Sequence, residues 1–189
     1  RCTASVYRHF QQGNYMGTPP TLQDFREELL RQTEPEAKEI ALAIELFTDG
    51  SLNTFAKNTN VDTNNRLLCY DILDLGKQLQ PIGMLVVLDS ILNRITMNRQ
   101  KGRNTFIFID EIYLLFQYEY SANFLFTLWK RVRKYGAYCT GITQNVDELL
   151  QSHTARTMLA NSEFIVMLDQ ASTDRLELAK LLSISDLLN

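Results

Sequence analysis

Apolar and polar residues follow two different rhythms along this chain. Up to about residue 65 the apolar positions recur at helical spacing. Thr3 to Gln12 reads as a short helix. Gly17 to Pro20 then breaks the chain, because proline steers its predecessor away from the helix. Thr21 stands ahead of Asp24 in a capping-type start, and Leu22, Phe25, Leu29 and Leu30 follow on one face. Thr33 repeats the signal, with Pro35 in the first turn and Glu36 beyond it. Ile40, Ala43, Ile44 and Phe47 then form a second apolar face, and Gly50 reads as its stop. Asn58 to Asn65 reads as a polar loop.

From about residue 66 short apolar runs alternate with helical stretches. Arg66 to Ile72 reads as a strand. A helix is expected from Ile82 to about Arg99, apolar all round in its first half and therefore buried there. Asn104 to Glu111 holds a run of β-branched and aromatic residues ending in acids, a strand. Ser121 to Tyr135 reads as a helix and Ala137 to Thr143 as a strand. Val146 to about Asn161 reads as helix with a break near Ser152. Glu163 to Asp169 is a further strand and Thr173 to Leu182 a last helix. Strands alternating with helices predict βαβ units, and a parallel sheet covered on both faces.

The 189 residues carry a net charge of −3, so any contact with nucleic acid or an anionic membrane must be local. Hydrophobic residues at 45% suit a globular core. The three cysteines, Cys2, Cys69 and Cys139, lack paired spacing and suggest a reducing compartment rather than a disulfide framework. No Cys/His cluster has zinc-ligand spacing, and no apolar run is long enough to cross a membrane. The chain starts at Arg1 within what reads as ongoing sequence, which predicts a piece of a longer protein.

Candidate chemistry gathers at two strand ends. Asp110 and Glu111 close the strand that begins at Asn104. An apolar strand ending in Asp-Glu delivers both acids to the carboxyl edge of a parallel sheet, where ligands bind. One acid can hold Mg²⁺ through water and the other can deprotonate an attacking water. Adjacent strand residues point to opposite sides, which would separate the two roles. Asp110 is assigned to magnesium and Glu111 to the base. Gln144, at the end of the next strand, can touch both a terminal phosphate and the attacking water. Taken alone, these residues also read as solvated strand exits. The helix between the strands ends in Lys130, Arg131, Arg133 and Lys134. These suit a helix C-terminus, and also an arginine finger toward a neighbouring subunit or a DNA-facing surface.

Together, "NNRLLCYDILDLGKQLQPIGMLVVLDSILNR", "TFIFIDEIYLLF", "ANFLFTLWKRVRKYGAYCTGITQNVDELL" and "MLANSEFIVMLDQASTDRLELAKLL" resemble the C-terminal ATPase domain of TraC/CagE-type type IV secretion and conjugative transfer ATPases. The version carried by conjugative elements of Gram-positive bacteria, conjugative transposons among them, is the most similar. The resemblance implies an α/β, RecA-like P-loop NTPase fold, with a mostly parallel sheet flanked by helices. Residues 1–62 would be an all-helical lobe inserted in that domain, and residues 63–189 the Walker B part of the core. It also implies ATP hydrolysis with Mg²⁺, and hexamers or other homo-oligomers. Its place would be cytoplasmic, at the inner face of the cell membrane, beside secretion-channel components and a coupling protein, with DNA as a further candidate contact. Asp110 and Glu111 fall on the Walker B acids and Gln144 on the strand-end glutamine. Arg133 and Arg156 lie where basic residues of the family's motifs occur.

The chain departs from the family in one respect. A Walker A loop needs G-x-x-x-x-G-K-[ST], whose amides cradle phosphate. The only Gly-Lys here, Gly76-Lys77, is followed by Gln78. The phosphate loop and its strand are expected upstream of Arg1, leaving this chain with half of an active site and without hydrolysis on its own. Alternatives are a DNA-pumping motor of the coupling-protein or FtsK type, and a non-catalytic docking module on a nucleotide-binding scaffold. Asp169 and Asp174 read as strand-end and helix-cap acids, and Arg175 as a residue with a conceivable phosphate-side role.

Overall fold

A computed structural model describes residues 1–144, 146–168, 175–176 and 178–180. The chain forms two compact units, Arg1–Gly83 and Met84–Asn189. The first contains the helical stretch read from the sequence. Helix α1 spans Cys2–Gln12, α2 Leu22–Leu30, α3 Pro35–Ala43 and α4 Glu45–Thr48. The start of α2 is the expected box: Thr21 Oγ1 accepts from Asp24 N at 3.3 Å, and Asp24 Oδ2 accepts from Thr21 N at 2.6 Å. Each donor would otherwise be orphaned at the helix start.

The second expected cap does not form. Glu34 takes the cap position of α3 without a side-chain bond, and Thr33 Oγ1 donates to Glu34 Oε2 instead. Pro35 at the first helical position needs no N–H partner, so the helix starts without a hydroxyl. The expected face is also turned. Ile40 and Ala43 are exposed, while Ala41 is fully buried and Ile44 and Phe47 are half-buried. The break between α3 and α4 at Ile44 rotates the later residues off the earlier face. Arg26 binds these helices together. Its Nε donates to Ala41 O at 3.0 Å, and its other two nitrogens pair with Glu45 and Asp49 at 2.9 and 2.7 Å.

Residues 66–72 form no strand, contrary to the sequence reading; Leu67 is 89% exposed. A 3-10 turn at Leu73–Leu75 leads instead into α5, Gly76–Gln100, six residues ahead of its expected start and with Pro81 inside it. Gly76 has φ +66° and ψ 157°, a conformation open to glycine alone, so Gly76-Lys77 turns the chain into a helix. The first half of α5 is not buried all round. Met84 and Leu88 are buried, but Leu85 and Val86 are exposed, because no described element covers that side.

In the second unit β1, Thr105–Ile109, and β2, Ala137–Gly141, pair in parallel from Thr105↔Ala137 to Ile109↔Gly141. The crossover is α6, Glu119–Arg131, extended by a 3-10 turn at Val132–Tyr135. Ile107 and Ala137 pack with Ile95 of α5 and with Leu128 and Val132. The sheet is therefore covered on one face by described residues, not on both. On the other face Phe106, Phe108 and Tyr138 are exposed, and the Phe106 and Tyr138 rings stack at 5.2 Å.

Helices α7, Val146–Gln151, and α8, His153–Ala160, break where expected, with Ser152 Oγ accepting from Ala155 N. Residues 163–168 carry no strand, a second correction. Phe164 and Val166 are 88% and 84% exposed, and no described strand lies alongside to complete a ladder. Residues 175–176 and 178–180 are helical, in keeping with the last expected helix. Asn145, Asp169 and Asp174 lie outside the described residues.

Candidate functional site

The carboxyl ends of β1 and β2 lie side by side because the strands are parallel and in register. The pairing continues past them in an uneven way. Ile142 N donates to Ile109 O at 2.8 Å, and Ile142 O accepts from Ile112 N at 3.0 Å. Asp110 and Glu111 are therefore a two-residue excursion pinned on both sides by one residue of the neighbouring chain segment. Glu111 has φ +48°, left-handed, a conformation that costs an L residue about 1–2 kcal/mol. Asp110 Oδ1 accepts from Glu111 N at 3.0 Å and secures this turn.

The two acids are thus separated by a left-handed turn beyond the strand, where the sequence reading invoked strand pleat. Asp110 is exposed and Glu111 half-buried. Gln144 Nε2 donates to Glu111 Oε1 at 2.7 Å. Glu111 Oε2 is buried and has no hydrogen-bond partner among the described residues. A buried carboxylate oxygen without a donor is unfavourable unless something else comes to it, such as water, a proton or a cation.

Arg133 and Arg156 are not paired with these acids. Arg133 lies just ahead of Gly136, whose carbonyl accepts from Thr105 N, and so stands at the amino end of both strands. It forms a 2.9 Å ion pair with Glu163, both side chains mostly exposed. Arg156 Nε donates to Leu150 O and caps the end of α7. Cys139 packs against the core, where burial pushes its thiol up to about 12 and leaves it a small apolar residue.

The sequence reading missed Gly141 and Ile112. A Cβ on Gly141 would lie 2.7 Å from Ile112 Cδ1 and 3.4 Å from Trp129 Cη2. The glycine lets the tip of β2 approach the residue that follows Glu111. Its signal was present: glycine within a strand marks a close approach.

No group of three or more His, Cys, Asp or Glu among the described residues could hold a metal by itself. Magnesium bound with phosphate does not need one, since one or two carboxylates complete its shell. Exposed Asp110 fits that requirement.

A family model described as the TraG P-loop domain matches residues 22–188. The solved structure of VirB4 from Thermoanaerobacter pseudethanolicus superposes with a TM-score of 0.78 at 21% identity, over 98% of this chain and 54% of that one. This chain thus spans about half the length of that solved chain. No curated protein matches it.

Proposed function

The chain belongs to the TraG P-loop domain family, and from that premise we propose that it is the acid-bearing part of an ATPase energising conjugative DNA transfer through a type IV secretion channel. One observation carries the reading. At the carboxyl edge of a parallel strand pair, Gln144 holds one oxygen of Glu111 while the other is buried without a partner among the described residues. A carboxylate oxygen left open in this way supports Glu111 as the base for an attacking water.

In this reading Asp110 holds Mg²⁺ through water and Glu111 takes the proton of the attacking water. Magnesium, when bound, would neutralise charge on the phosphate oxygens. Gln144 contacts the terminal phosphate. A finger role for Arg133 or Arg156 would be played toward a neighbouring copy, since among the described residues neither is paired with Asp110 or Glu111. The 189 residues contain no G-x-x-x-x-G-K-[ST], and in this reading the phosphate cradle would lie in the rest of a longer protein. That protein would work as a homo-oligomer, a hexamer in the simplest ring, at the cytoplasmic face of the membrane beside the channel and its coupling protein. Among the described residues no helix is long and apolar enough to cross a membrane.

Calorimetric titration with Mg·ATP tests the reading on the 189-residue chain and on the longer protein. Weak or no binding is expected of the first and micromolar binding of the second. Micromolar binding by the short chain would overturn the idea that the phosphate cradle lies elsewhere. Failure of the longer protein to bind would overturn the ATPase reading.

A further inference from the structure

Charge is unevenly divided along this chain, although its net charge is only −3. Residues 24–49 hold eight acids against three basic residues. Residues 90–109 and 120–146 together hold eight basic residues and no acid. In the first unit, fully buried Ala41 fixes which side of α3 faces the core. Glu36, Glu39 and Ala43 recur at helical spacing on the opposite side, and all three are exposed. Ile40 and Leu42 flank them, Leu42 being 70% exposed. Glu36 and Glu39 form no ion pair among the described residues. In the second unit, the two segments that lead into the parallel strands lie together. Thr105 N donates to Gly136 O at 3.0 Å, and Asn98 Nδ2 donates to Thr105 Oγ1 at 3.0 Å. The Arg99 guanidinium lies 4.7 Å from the centre of the Tyr135 ring. The segment carrying Arg99, Lys101 and Arg103 is thus set beside the one carrying Arg131, Arg133 and Lys134, at the strand ends opposite Asp110. All six are exposed, and among the described residues only Arg133 has an ion pair, with Glu163.

We propose that the acidic outer face of α3 in one copy of the chain docks on the basic strand-end edge of a second copy. The proposal gives surfaces to the homo-oligomer of the reading above and uses no part of the nucleotide site. A nucleic acid or an anionic membrane would neutralise the basic edge, but would repel Glu36 and Glu39 and leave Ile40 and Leu42 in water. A second copy answers both surfaces at once. Its edge supplies the cations that Glu36 and Glu39 lack, and its approach removes Ile40 and Leu42 from water. The two surfaces differ, so the contact is heterologous. Each copy gives its acidic face to one neighbour and its basic edge to another, an arrangement that closes into a ring when the rotation between copies allows it.

Charge reversal in the longer protein tests this, with self-association followed by sedimentation velocity. Glu36→Lys with Glu39→Lys reverses the acidic face, and Lys101→Glu with Arg103→Glu reverses the basic edge. Each pair should weaken association by about tenfold or more, because like charges then face each other. An equimolar mixture of the two variants should recover most of the wild-type affinity, since each then meets opposite charge on its neighbour. A chain carrying all four substitutions should recover it too. A folding defect would show neither recovery. Unchanged association in either variant, or a loss without recovery, would overturn the contact. So would a basic-edge variant that associates normally but no longer binds an oligonucleotide or phosphatidylserine vesicles, which would give that edge to a polyanion instead. Absence of Mg·ATP binding by the wild type would overturn the nucleotide reading and leave this contact standing.

Discussion

Gln144 Nε2 lies 2.7 Å from Glu111 Oε1, although 33 positions separate the two residues. The contact follows from the parallel register. Ile109 stands opposite Gly141, so the segments leaving the two strands emerge together at one edge. Ile142 then ties them with two backbone hydrogen bonds. Both side chains are held by this short lattice.

If Glu111 is the base, Glu111→Gln in the longer protein should lower ATP turnover by at least about a hundredfold while sparing nucleotide binding. Steady-state hydrolysis and calorimetry measure the two effects separately. Turnover at the wild-type rate would remove Glu111 from that role.

Gly141→Ala places a Cβ 2.7 Å from Ile112 Cδ1, within a buried cluster. Overpacking of this kind costs about 1–3 kcal/mol. Ile112→Val removes the clashing methyl and should return part of that loss in the double variant. Chemical denaturation of the two single variants and the double reads the coupling, and strict additivity would show that the two residues do not meet.

Hydrogen bonds from Thr21, first its backbone N–H and then its hydroxyl, hold the Asp24 carboxyl below its ordinary value of 3.8. A carboxylate lowered in the folded state binds its proton less readily than in the unfolded chain. Its stabilising contribution is thus complete above about pH 4 and is lost as pH falls through the lowered value. Asp24→Asn should flatten that part of the acid-unfolding profile. Thr21→Ala should cost about 1 kcal/mol at neutral pH through loss of the cap.

Arg26 is mostly buried and reaches Ala41 O, Glu45 and Asp49 with three different nitrogens. Lysine offers one compact ammonium and cannot span those partners. Arg26→Lys should therefore destabilise the first unit by about 2 kcal/mol, nearly as much as Arg26→Ala. Thermal unfolding followed by circular dichroism would show it, and a silent Arg26→Lys would count against the three-way contact.

Much of the fold was legible in local pattern. The Thr21–Asp24 box and the Ser152 break depend on residues close in sequence, and each appears where the pattern puts it, as do the two strands around α6, which pair with each other. Two expected strands do not appear, at residues 66–72 and 163–168. Their apolar composition is strand-like, but a strand exists only where a neighbour supplies N–H and C=O groups along its length. Composition cannot report that neighbour. The apolar first half of α5 failed for a related reason: an all-round apolar helix is buried only if something covers every side.

By itself the sequence determined which candidate residues stand at the strand ends: two acids after an apolar strand, a glutamine after the next, and no phosphate loop among 189 residues. Only the tertiary structure decided how they meet. Parallel register brings Gln144 to Glu111, the Ile142 clamp fixes the turn, and the left-handed backbone of Glu111 turns one carboxylate oxygen toward the amide while burying the other. Residue identity sets what a group can donate or accept. Its partner is set by hydrogen bonds between segments distant in the chain, and those exist only once the sheet has formed.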